Sequence, residues 1–184
     1  MSIGVEHTSM ISLATAGVTG AGALLLAMRG DAAAQWIAKF PRNRFWGIVL
    51  SAIGLLWSAL LINDMTLGGL SAYKWLLYIL TPLAFYLVIQ YLDELLAPRA
   101  LGGLLMLYPT VMVEAARWHE SSWRLILVGL AYVMVTFGAW LMLCPFKFRI
   151  WGDALVSTRS RRMAAAIVLG VLAILLVLTS RMTA

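Results

Sequence analysis

The chain has 184 residues, of which 62% are hydrophobic and only 12% charged, against roughly one quarter charged in a soluble domain. No water-solvated core accommodates five apolar runs of about seventeen residues or more, and a net charge of +6 does not make this a nucleic-acid binder, because the basic residues flank apolar runs instead of covering a polar domain. The lone cysteine, Cys144, excludes an intrachain disulfide and any thiolate metal cluster.

The composition predicts an all-α fold: a polytopic transmembrane helical bundle of about six spans, one of them short and Pro-containing, with short interfacial helices. The whole of 1–184 then forms a single transmembrane domain. Its first span covers about residues 10–28. The segment ahead of it carries Glu6 and His7 but no Lys or Arg, and the apolar part exceeds a signal core, so it is read as a retained span. Ala16 with Gly20, and Gly17 with Ala21, lie four apart. That spacing puts small side chains on one face, where another helix can come close.

A basic loop follows, with Arg29, Lys39, Arg42 and Arg44 against Asp31. Within it Asp31 is placed to cap a short interfacial helix on which Trp36, Ile37 and Phe40 share a face. The second span, 45–62, again has paired small positions, Gly47 with Ser51 and Gly54 with Ser58. Gly68 and Gly69 mark a turn. The third span, 75–92, carries Thr81 and Pro82 near its middle, a predicted kink.

The segment 95–113 decides the topology. Its uninterrupted apolar part, 100–113, is about fourteen residues, short of the roughly twenty a crossing helix needs. Charges stand at both ends, and Pro109 removes a backbone donor inside it. The sidedness of the other segments resolves the matter. After a span at 125–143, a long second basic loop carries Lys147, Arg149, Arg159, Arg161 and Arg162, and a last span follows at 163–179. Basic loops stay in the cytoplasm. Two loops on one side require an even number of crossings between them, so 95–113 must be the fourth span, with Arg99 extending its charged head to the interface. Both termini then lie outside the cytoplasm, and ten of fourteen basic residues lie within it. The tryptophans fall into two belts, Trp36, Trp46, Trp140 and Trp151 inside and Trp57, Trp75, Trp118 and Trp123 outside. A re-entrant segment, which breaks the parity, is the competing reading.

Chemistry-bearing residues are sparse. The span centres lack ionisable groups, and their polar side chains, Thr15, Thr19, Ser51, Thr81, Thr110 and Thr136, can bond back to their own helices. Asp93, Glu94 and Arg99 form the candidate polar cluster, read as interfacial charges that orient a helical hairpin. Glu114 and Arg117 are spaced for a surface pair, and His119 is not read as a metal ligand. No catalytic signature, metal site or cofactor motif appears. Candidate helix-packing positions are Gly17, Gly20, Gly47, Gly54, Gly102, Gly103 and Gly170. Gly102 and Gly103, beside Arg99, also suit a lipid phosphate. Short echoes such as Leu-Gly-Gly-Leu at 67–70 and 101–104 do not amount to a repeat.

The expectation is a non-catalytic polytopic protein of a bacterial inner membrane. It is read as an accessory, assembly or packing subunit of a larger membrane complex, with the lipid bilayer and other membrane subunits or further copies as partners. The alternative is a small oligomeric transporter or channel with a pathway near Pro82 and Pro109. A lipid-modifying enzyme built on Asp93, Glu94, Arg99 and Glu114 ranks third.

Overall fold

A computed structural model of the chain describes residues 2–28, 30–65, 73–91, 95–117 and 122–182. Among these the structure is all-α. In chain order, α1 covers Ser2–Met28, α2 Gly30–Lys39, α3 Arg44–Asp64, α4 Leu76–Tyr91, α5 Leu96–Arg117, α6 Arg124–Leu143, α7 Pro145–Val156 and α8 Arg159–Met182. Five of them, α1, α3, α5, α6 and α8, are long and apolar enough to cross a membrane. The chain is an integral membrane protein.

Local chemistry explains several boundaries. Phe40–Arg42 forms one 3-10 turn with Pro41 near its start, and Asn43 then caps α3, its side-chain oxygen accepting from the backbone N–H of Phe45 (3.1 Å) and Trp46 (3.4 Å). Cys144 breaks α6 from α7, and Pro145 opens α7 where a missing N–H costs nothing. Asp31 lies within α2, one residue past its start, and the cap predicted from its side chain falls outside the described residues. The second basic loop is also more ordered than predicted. Its first part is the twelve-residue helix α7.

Two antiparallel pairs and one parallel pair hold the bundle. The pair α1–α8 is antiparallel: a methyl added at Gly20 would touch Ala173 at 3.7 Å and one at Gly22 would touch Leu169 at 3.8 Å, while the Ser180 hydroxyl donates to the Ser9 carbonyl. The pair α5–α6 is antiparallel, with Gly102 facing Gly138. By contrast α3 and α5 run parallel, since Gly47 meets Leu96 and Ala97, Gly54 meets Leu104, and Trp57 stacks on Tyr108 with centroids 6.4 Å apart. The helix between them, α4, therefore returns the chain along the bundle. Its described length is 16 residues, about 24 Å at 1.5 Å per residue. Among the described residues α4 is the shorter helix, whereas α5 runs 22 residues, because its helix continues past the apolar run through Glu114 and Arg117 at one end and begins before Arg99 at the other.

The core gathers Ala16, Met112, Ala116, Leu127, Ala131 and Leu176 from α1, α5, α6 and α8. At the opposite end of the bundle α2 and α7 pack together, Phe40 against Phe148 (centroids 5.6 Å apart) and Ile37 against Gly152. This end carries Lys39, Arg42, Arg44, Arg99, Lys147, Arg149, Arg159, Arg161 and Arg162, whereas Lys74, Arg117, Arg124 and Arg181 sit at the far end. Trp36, Trp46, Trp140 and Trp151 cluster at the basic end, with ring contacts at 6.3 Å and 4.8 Å.

Candidate functional site

The residues flagged for chemistry separate. Asp93 and Glu94 lie outside the described residues, as do Trp118, His119 and Glu120. Arg99 sits on the first turn of α5, half-buried, with no ion-pair partner among the described residues. Glu114 and Arg117, spaced for a pair, are both exposed and do not form one. Fifteen residues of helix separate Arg99 from Glu114, about 22 Å, so one reacting atom cannot meet both. No group of three potential metal ligands occurs among the described residues.

Four of the six span hydroxyls bond to their own helices. Thr15 donates to the Ile11 carbonyl (2.7 Å), Thr19 to Thr15, Thr136 to Tyr132 and Thr110 to Leu107. Thr15 also joins α1 to α5, its hydroxyl lying 2.8 Å from the Tyr108 hydroxyl. Since the Thr15 proton is directed at Ile11, Tyr108 is the donor in this bond.

Of the candidate packing glycines, Gly20, Gly47, Gly54 and Gly102 face other helices. A Cβ at Gly47 would lie 3.0 Å from Leu96, and one at Gly102 would lie 2.7 Å from the Gly138 carbonyl. Gly17, Gly103 and Gly170 face open space. The sequence reading missed Gly138 and Gly152, whose added Cβ atoms would come within 2.7 Å of Gly102 and Ile37. Neither has a small residue four positions away in a packing motif, and Gly152 lies in what was read as a loop.

Pro82 and Pro109, the proposed broken points, interrupt nothing: α4 and α5 are continuous through them. Pro82 is exposed and Pro109 buried.

A concavity lies elsewhere, between α3 and α5. It has a volume of about 680 Å³ and is walled by Leu50, Leu55, Val88, Met106 and Leu107, with Gly103 on its floor and Arg99 at the basic end. That volume is in the range of ligand sites. Among the described residues its lining is apolar apart from Arg99 and the hydroxyls of Ser51 and Ser58, so the groove can hold an apolar body and one negative charge.

One helix is weakly committed to the fold. Among the residues of α4 none is buried. Tyr78, Pro82, Tyr86 and Gln90, four apart along one stripe, are all exposed, the two tyrosines at 77% and 63%. Their side chains have no hydrogen-bond partner among the described residues. No protein-family model, curated protein or solved structure matches this chain.

Proposed function

We propose that this protein is a non-catalytic membrane subunit that packs, through the outer face of α4, against another polytopic chain in a larger complex. The observation that carries the reading is the stripe of Tyr78, Tyr86 and Gln90 on an edge helix with no buried residue. Polar tips left in hydrocarbon gain from hydrogen bonds across helices, on average about 0.6 kcal/mol each. Aromatic residues with one polar end also suit an interface that is part apolar and part hydrogen-bonded. The distribution of charge supports a bacterial inner membrane, with the basic end in the cytoplasm and both termini on the other side.

A photo-crosslinking amino acid at Tyr86 tests the proposal in the full-length protein. The expected product is one discrete adduct with a second membrane polypeptide, absent when the same probe replaces Val168, which is 66% exposed on α8. Tyr86→Leu combined with Gln90→Leu should lower co-purification of that polypeptide about severalfold. A stable monomer whose Tyr86 probe captures lipid alone would overturn the assignment.

A further inference from the structure

The groove between α3 and α5 is distinct from the α4 stripe and has its own chemistry. Its lining runs along α5 from Leu96 to Leu107 and along α3 from Leu50 to Ser58, with Val88 of α4 and Met142 and Leu143 of α6 beside them. Eleven residues of helix span about 16 Å, close to the ~15 Å of one leaflet in a hydrocarbon layer about 30 Å thick. At that end Trp57, which precedes Ser58 on α3, and Tyr108, which follows Leu107 on α5, stack across the two helices, and Tyr108 is hydrogen-bonded to Thr15. A partner helix crossing the bilayer would need a track about twice this length. A lipid tail from one leaflet does not.

The charge sits where a headgroup would. Among the described residues Arg99 is the one charged residue of the lining. It is half-buried and has no ion-pair partner among the described residues. It stands at the basic end of the bundle, where surface cations attract anionic lipid at about 1 kcal/mol each. A planar guanidinium offers a phosphate two parallel N–H donors. We infer that this groove is a binding site for an anionic phospholipid of the leaflet at the basic end, with one acyl chain lying along Leu50, Leu55, Met106 and Leu107 and the phosphate on Arg99.

The test uses the full chain in nanodiscs of phosphatidylcholine with a minor fraction of phosphatidylglycerol, followed by mild-detergent release and native mass spectrometry. One retained phosphatidylglycerol per chain is expected, against the excess of phosphatidylcholine. Arg99→Gln should cut that occupancy about tenfold, as loss of a charge-assisted bond implies, and Arg99→Lys should restore part of it. Gly103→Leu should abolish retention, since a Cβ there meets nothing within 4 Å and a longer side chain has room to enter the groove. Arg149→Gln, at an exposed site paired with Asp153, should leave retention unchanged. Circular dichroism and elution volume must match wild type for each variant. A phosphatidylglycerol with a photoactivatable chain should label the peptide containing Met106 and Leu107. Equal retention by wild type and Arg99→Gln, an equal loss in Arg149→Gln, or a groove probe that captures a polypeptide helix would each overturn the site.

Discussion

Two adjacent glycines in α5 have opposite surroundings. A Cβ at Gly102 would press on the Gly138 carbonyl at 2.7 Å and on the Met142 backbone nitrogen at 3.1 Å, whereas one at Gly103 meets nothing within 4 Å. Backbone cannot yield as a flexible side chain can, so Gly102→Ala forces α5 and α6 apart. Its expected cost is about 1–3 kcal/mol, the usual range for overpacking. Gly103→Ala should be neutral or stabilising by up to about 1 kcal/mol, because alanine favours helix. Unfolding both variants in the same detergent checks this, and equal destabilisation would contradict the close α5–α6 approach. The sequence marked the Gly102–Gly103 pair as small, but not which member packs. That depends on the rotation of α5 about its axis, which is set by neighbours far away in sequence. Gly138 was illegible for a related reason. The residues four positions either side of it are Met134 and Met142, so its close approach belongs to the encounter with Gly102 and to no pattern within α6.

Between elements, apolar surface does little to distinguish one helix neighbour from another in lipid, so close packing and hydroxyl bonds assume that role. The bond between Thr15 and Tyr108 joins α1 to α5 beside the shared core. Thr15→Val and Tyr108→Phe each remove one partner, and a double-mutant cycle in mixed micelles should give a coupling of about 0.6 kcal/mol, the average for such bonds. A coupling of zero would mean that the two hydroxyls are not engaged. Long apolar runs made most elements legible, including the first basic loop's helix, where Trp36, Ile37 and Phe40 announced a face. The length of α5 is underestimated when the apolar run is used as a measure of helix length. A helix ends where its backbone bonds end, and α5 carries Glu114 and Arg117 on turns that extend beyond the apolar stretch. The helix α7 was missed because Lys147, Arg149 and Asp153 interrupt its apolar residues, although Arg149 and Asp153 lie four apart and 4.0 Å from each other, a spacing that mildly favours helix.

At the level of the whole molecule, the parallel course of α3 and α5 governs everything else. Gly47 against Leu96 at one end and Trp57 against Tyr108 at the other require that α4 carry the chain back along the bundle. Four passages, α3 to α6, then separate α2 from α7, and an even number returns the chain to the end it left. The packing of Phe40 on Phe148 and of Ile37 on Gly152 meets this requirement independently. A Cys144→Ser background carrying Lys39→Cys, Ser157→Cys or Ser122→Cys translates the arrangement into an experiment, since all three introduced positions are exposed. In sealed right-side-out vesicles an impermeant maleimide should label Ser122→Cys at once, and Lys39→Cys and Ser157→Cys only after the membrane is opened, in keeping with cytoplasmic basic loops. Protection of Lys39→Cys with immediate labelling of Ser157→Cys would separate α2 from α7 across the bilayer. It would also turn α5 into a segment that re-enters on one side, and with it would go the leaflet-length groove that depends on α5 lying beside α3.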